Sequence, residues 1–324
     1  MKLLFLRFSS IGDIVLTSPA VRIAKEQIPG VEIHFATKKA YRKLVKENPN
    51  IDQVHILEDD LSDLISRLKK ENFDEVIDLH NNLRTLRIKR ALGKPSKSFD
   101  KLNIEKWLMV NFKLNSLPDI HIVERYCKTL EHLGASLDNK GLDFFIAEDD
   151  QYEISQLEAE FQQGYNVFAI GAQHFTKILP LERMLEVIKS SKLPVILLGD
   201  KNDESRGKEL LKNLESLEGP KVINLCGQLS LGQSADLIRK SKGVYSHDSG
   251  LMHIAAAFKK PIISFWGNTI PQFGMFPFQT DHIIVENKDI SCRPCTKIGF
   301  GKCPKGHFKC MNELIIPENF PSQS

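Results

Sequence analysis

One run of residues in the second half, Val244-Tyr245-Ser246-His247-Asp248-Ser249-Gly250-Leu251-Met252-His253-Ile254-Ala255-Ala256-Ala257, joins a short apolar strand, a polar turn and an Ala-rich helix. Those residue types at that spacing suit anion binding. Asp and Ser are favoured at helix starts, and Gly250 lets the backbone come close to a ligand. The free N–H groups and positive dipole end of a helix start seat phosphate. The same run also reads as an ordinary βα turn capped by Asp248. A second stretch, Cys292-x2-Cys295-x7-Cys303-x6-Cys310, is basic, rich in Gly and Pro, and contains His307. Its first pair has zinc-ligand spacing, so a structural zinc is one reading. The second pair lacks that spacing, so reduced packing cysteines are the other.

The elements that must position these residues alternate between strand and helix. Lys2–Phe8 reads as a buried parallel strand, Ser9–Asp13 as a tight loop, and Ile14–Ile28 as a helix in which Pro19 predicts a kink or delayed start. Strands follow at 32–36, 53–57 and 75–79, with helices at 38–46 and 61–71. The stretch 83–117 is less regular, 119–133 is an amphipathic helix, and 142–146 a last strand. A polar segment, 147–165, carries a helix and joins the halves. Alternation then restarts, with strands at 166–171, 194–199, 221–225, 243–246, 261–265 and 282–286, and helices at 181–190, 203–217, 231–240 and 249–258. The pattern predicts two α/β domains, 1–150 and 151–324, each with a parallel sheet. Such domains place a ligand cleft at the carboxyl ends of the strands, where the turns at Gly12 and Gly250 both fall.

Composition narrows the function classes. A chain of 324 residues is long enough for two cores, and a net charge of +3 is too small to suggest nucleic-acid binding. Charge is instead local: eight basic residues stand between Arg84 and Lys106, and six between Lys288 and Lys309. Such patches suit an anionic substrate or a membrane surface. No apolar run approaches the roughly 20 residues that cross a bilayer, and the N-terminal apolar run, cut off at Arg7, is too short for a secretion signal. A cytoplasmic protein is expected, with its six cysteines not paired as disulfides.

Several signatures are missing. The first βα loop has one Gly rather than G-x-G-x-x-G, and there is no G-x-x-x-x-G-K-[ST] loop. Ser249 lacks the G-x-S-x-G context of a nucleophile elbow, and neither H-E-x-x-H nor an EF-hand loop occurs. Dinucleotide, triphosphate, serine-hydrolase and metalloprotease chemistry lose support.

Four pieces remain, in order: Ser9-Ser10-Ile11-Gly12-Asp13; Gly171-Ala172-Gln173-His174-Phe175-Thr176-Lys177; Leu198-Gly199-Asp200-Lys201-Asn202-Asp203-Glu204; and Asp248-Ser249-Gly250-Leu251-Met252-His253 followed by Phe265-Trp266-Gly267-Asn268-Thr269-Ile270-Pro271. From the first strand to about Pro277 this ordered set resembles the bacterial heptosyltransferases, glycosyltransferase family 9. The resemblance implies a GT-B fold, two Rossmann-like domains with parallel sheets facing a central cleft. It implies an N-terminal acceptor-binding domain and a C-terminal sugar-nucleotide-binding domain. The implied reaction is inverting, metal-independent transfer of heptose from ADP-heptose to a lipid-linked, anionic inner-core acceptor of lipopolysaccharide at the cytoplasmic face of the inner membrane.

Residue chemistry agrees with those roles. Asp13 could act as general base toward an acceptor hydroxyl, or simply cap the Ile14 helix. Lys177 would neutralise charge on the departing diphosphate, with Thr176 donating a hydrogen bond and Gly12 beside them. The N–H groups of Ser249, Gly250 and Leu251, oriented by Asp248, would hold the diphosphate. Glu204 matches a carboxylate for the donor ribose, or is a first-turn helix Glu. Arg84 resembles an acceptor-side position, where a guanidinium would bind carboxylate or phosphate. The chain departs from the family pattern at Ile178-Leu179-Pro180, Gly267-Asn268-Thr269 and His247. Those departures leave two alternatives: another donor such as a UDP-sugar, or a non-catalytic sugar-nucleotide-binding protein.

Overall fold

The computed structural model describes residues 1–215 and 218–321, so the end of the helix expected at 203–217 lies outside the described residues. Two compact units emerge. The first comprises Met1–Leu102 and Ile120–Phe145, the second Asn103–Asp119 and Ile146 onward.

In the first unit, β1 (Lys2–Leu6), β2 (Glu32–Lys38), β3 (Gln53–Leu57), β4 (Glu75–Asp78) and β5 (Ser96–Ser98) form an all-parallel sheet in the order β3-β2-β1-β4-β5. Leu3, Leu4, Phe5 and Leu6 are fully buried, as a central strand covered on both faces requires. Each such side chain contributes roughly 1.5–3 kcal/mol of burial. The second unit holds β6 (Asn166–Ala169), β7 (Val195–Leu198), β8 (Val222–Asn224), β9 (Gly243–His247), β10 (Ile262–Trp266) and β11 (His282–Glu286) in the order β11-β10-β9-β6-β7-β8, again parallel. Two parallel doubly wound α/β sheets are the expected fold class. Each unit carries its own apolar core, around Leu4, Leu6 and Phe8 in one and around Phe168, Leu197 and Phe265 in the other.

Several local expectations change. The helix expected from Ile14 starts at Ile11 and breaks after Val15; a second helix, Ser18–Gln27, takes Pro19 in its first turn, the delayed start that proline imposes. The irregular stretch 83–117 contains helices at Leu83–Leu92 and Asn103–Phe112. No strand forms at 142–146. Side chains hold that segment instead: the buried Arg22 guanidinium binds Asp138, Asp143 and the Gly141 carbonyl, and Ser18 Oγ accepts the Asp143 N–H at 2.8 Å. The amphipathic stretch at 119–133 is helical only over Ile122–Cys127 and then tightens into a 3₁₀ turn, Lys128–Leu133. No helix among the described residues is long and apolar enough to cross a membrane.

Candidate active site

The first unit places Asp13 at the carboxyl end of its central strand. Gly12 and Asp13 lie inside the first turn of the Ile11–Val15 helix rather than in an open loop, and Ser10 is its N-cap. Asp13 therefore does not cap a helix at Ile14. Its Oδ2 accepts the Ser10 N–H at 3.0 Å and the Ser10 hydroxyl at 2.9 Å, while Oδ1 pairs with Arg7 at 2.7 Å. Burial pushes the Asp13 pKa up, but Arg7 and the Ser10 bonds outweigh it and hold the carboxyl below its ordinary value. The group is an ionised acceptor at neutral pH.

Arg7 was legible in the sequence only as the residue that cuts off an apolar run. In the fold it is a buried hub: it donates to the Ser9 carbonyl at 2.7 Å, to the Leu79 carbonyl and to the Tyr126 hydroxyl at 2.9 Å, besides pairing with Asp13. His80, on the neighbouring β4 loop, is pushed down to about 4 by burial and by Arg7, so it stays neutral beside this pair.

Arg84 starts the helix after β4, with its guanidinium 5.5 Å from the centre of the Phe8 ring. It lines a cavity of about 570 Å³ within the first unit, together with Lys38, Lys39, Arg87, Glu58 and Asp59. Four cations against two carboxylates make that cavity suited to an anionic ligand.

In the second unit Lys177, Asp248 and Thr269 come together. Lys177 Nζ stands 2.6 Å from Asp248 Oδ2, and the Thr269 hydroxyl donates to the same oxygen at 2.9 Å. Asp248 thus orients the lysine; it neither caps the helix nor aims the amides. The helix Gly250–Ala257 has Ser249 as its N-cap, and no side-chain bond caps its start. Ser249 Oγ turns instead toward Ser246 Oγ at 3.2 Å. The first turn, which holds the amides of Gly250 and Leu251, thus carries no side-chain cap.

Two expected donor contacts are differently employed. Thr176 is buried, its hydroxyl donates to the Phe300 carbonyl at 3.2 Å and accepts the Phe300 N–H at 2.8 Å, so it pins the C-terminal segment rather than reaching for a ligand. Glu204 begins the helix Glu204–Leu214 and pairs with Lys208 at 2.5 Å, the first-turn arrangement that was its alternative role. The preceding residue, Asp203, depends on glycine: a Cβ on Gly171 would fall 2.0 Å from Asp203 Oδ2, and one on Gly199 2.7 Å from the Asp203 Cβ.

The departures from the family pattern are structurally linked. His247, kept neutral by burial at about 3, accepts the Leu179 N–H on Nε2 at 3.0 Å, tying the Ile178-Leu179-Pro180 loop to β9. Asn268 is buried, and neither atom of its carboxamide has a partner among the described residues. Arg293, unnoticed in the sequence, holds that loop from below. It donates to the carbonyls of Gly267 at 2.5 Å, Thr269 at 2.9 Å, Trp266 at 3.3 Å and Asn287 at 2.6 Å, and pairs with Glu286 at 3.0 Å.

The four cysteines of the C-terminal segment lie near enough to influence one another without forming a ligand set. Cys292 Sγ is 3.9 Å from His307 Nε2, and Cys295 donates to the Cys292 carbonyl at 3.3 Å. Cys310, in the short helix Lys309–Asn312, is buried in the apolar core of the second unit, which pushes its thiol up to about 12. Among the described residues the cysteine thiols do not gather three donors within 4.8 Å of one another. The four-thiol zinc site read from spacing is thus not preformed among the described residues.

Comparison with known proteins identifies the family. Residues 61–302 match the family model described as glycosyltransferase family 9 (heptosyltransferase). Lipopolysaccharide heptosyltransferase 1 of Pseudomonas aeruginosa is 26% identical over 328 residues, covering 92% of this chain and 86% of its own. The structure of ADP-heptose lipopolysaccharide heptosyltransferase II of E. coli superposes with a TM-score of 0.69 at 21% identity, over 97% of this chain and 98% of that one. A heptosyltransferase of E. coli solved with ADP superposes with a TM-score of 0.66 at 22% identity, over 88% and 93%. With a GT-B pair of sheets and a family match across most of its length, the chain belongs to glycosyltransferase family 9 and is a glycosyltransferase.

Proposed function

We propose that this enzyme transfers heptose from ADP-heptose to an inner-core acceptor of lipopolysaccharide, with inversion and without a catalytic metal. The observation that carries the donor side is the Lys177–Asp248–Thr269 arrangement beside the uncapped start of the Gly250–Ala257 helix. The Ser249, Gly250 and Leu251 amides hold the diphosphate, and Lys177 meets the charge that grows on it as the bond to the anomeric carbon breaks. Glu204 serves the ribose, exchanging its exposed pairing with Lys208. Asp13 takes the proton from the acceptor hydroxyl as that oxygen bonds to the anomeric carbon, and ADP leaves. The cavity lined by Arg84 receives anionic groups of the acceptor, whose lipid anchor keeps the enzyme working at the cytoplasmic face of the inner membrane.

Nucleotide-induced stabilisation tests the donor. ADP at about 100 times its dissociation constant should raise apparent stability by about 2.7 kcal/mol, and UDP should do little. Stabilisation by UDP and not ADP would replace heptose with a UDP-sugar. Arg84→Ala is expected to raise the acceptor KM about tenfold or more with the donor KM unchanged, since it removes one charge-assisted contact of about 1.5–3 kcal/mol. An unchanged acceptor KM removes Arg84 from the acceptor site. Asn268→Ala breaks no native hydrogen bond, so stability should hold within about 1 kcal/mol. A changed donor KM would mark its carboxamide as reading the donor.

A further inference from the structure

We propose that His34, His55 and Glu71 form a binding site for a zinc-like divalent cation at the amino end of the first unit's sheet, separate from the transfer chemistry. His34 is the third residue of β2 and His55 the third of β3, in adjacent strands whose register pairs Ala36 with His55. The two-residue offset puts both imidazoles on one face of the sheet. There they stack with ring centres 5.0 Å apart, and the Phe73 ring packs edge-on against each.

His34 Nδ1 faces His55 Nε2 at 2.8 Å, and Glu71 Oε2 is 4.0 Å from the same Nδ1. These three are the set among the described residues whose donor atoms lie within 4.8 Å of one another. Tetrahedral zinc with bonds of about 2.0–2.2 Å to nitrogen and oxygen needs donor separations of roughly 3.3 Å. The observed 2.8 and 4.0 Å bracket that value, so shifts of about half an ångström close the site.

The surroundings are those of a ligand set. The other nitrogen of His34, Nε2, lies 2.7 Å from Glu32 Oε1. A carboxylate behind a histidine fixes the N–H on the far side and aims the lone pair of the near nitrogen inward, as at metal-bound imidazoles. Around this pair stand two carboxylates, Glu32 and Glu71, and one cation, Lys2, at 3.2 and 3.3 Å from them. Carboxylates beside imidazoles favour a dication. Lys2, a quarter exposed, is free to yield its place to one. Two imidazoles and a carboxylate select zinc or a similar borderline cation over magnesium or calcium.

Zinc added to the chelator-treated full-length enzyme, followed by dialysis and metal analysis, tests the site. Wild type should retain about one zinc more per chain than His55→Gln or Glu71→Gln, and zinc should raise the melting temperature of wild type only. Glu32→Gln, which removes the carboxylate behind His34 together with its exposed pairing to Lys2, should keep the fold and weaken zinc about 10- to 100-fold. Cobalt substitution separates this site from the cysteines: the difference spectrum between wild type and His55→Gln should lack a thiolate charge-transfer band. Equal zinc content in wild type, His55→Gln and Glu71→Gln overturns the proposal. A Glu32→Gln protein with wild-type affinity overturns it as well, leaving the histidines a hydrogen-bonded pair.

Discussion

Asp13→Asn is expected to lower turnover by about 10²–10⁴-fold, the usual contribution of a positioned general base, while ADP stabilises the variant as it does wild type. The change keeps the side chain's size and leaves an oxygen to accept from Arg7 or from Ser10, but removes the proton acceptor. On the proposed assignment ADP binding is spared, because its seat would be built from Lys177, Asp248 and the Gly250–Ala257 helix of the second unit. Single-turnover transfer rates beside ADP titrations separate the two quantities. Wild-type transfer by Asp13→Asn would take the base role from this residue. The pH profile adds a check. The folded-state pKa of Asp13 is lowered, so the carboxylate's contribution to stability is complete above its unfolded value of about 3.9 and is lost as pH falls through the folded one. Between about pH 5 and 8 Asp13 stays ionised, and an acid limb of activity that vanishes in Asp13→Asn should not occur in that window.

Arg293→Met is expected to destabilise the enzyme by about 3–5 kcal/mol, because it breaks a buried ion pair and removes the donor to four backbone carbonyls. The side chains of Arg293 and Glu286 are 4% and 6% exposed, and four backbone carbonyls share the same guanidinium. Methionine fills much of the volume but takes the guanidinium away from those carbonyls and leaves Glu286 with only the exposed Lys288, 3.7 Å away. The Gly267–Thr269 loop then loses its support, and Thr269 no longer steadies Asp248. Denaturant titration should show the loss, accompanied by weaker ADP binding. Arg293→Lys should recover only part of it, since an ammonium cannot reach acceptors spread over a planar fork. A midpoint within about 1 kcal/mol of wild type for Arg293→Met would show that the loop stands without the arginine.

How far these residues could be read from the chain depends on the range of the forces involved. The Asp248-Ser249-Gly250 turn was legible because strand, turn and helix are contiguous. Its geometry was not: Asp248 faces a lysine 71 positions away rather than the helix that follows it. Thr176 looked like a ligand contact beside Lys177, yet Phe300, 124 positions on, takes its hydroxyl. Arg7 and Arg293 carried no local signal, since a buried guanidinium is defined by the carbonyls and carboxylates that gather around it. The 142–146 segment had the apolar pattern of a strand but packs on Arg22 and Ser18 with no ladder partner.

By itself the sequence determined the two parallel α/β halves and the family, because apolar runs, helix caps and the order of short motifs are local and survive without knowledge of contacts. Only the tertiary structure decided which cation meets which carboxylate, which hydroxyl is free, and that two histidines on neighbouring strands face one another. Those pairings follow from strand register and burial, and both exist only once distant segments are packed together.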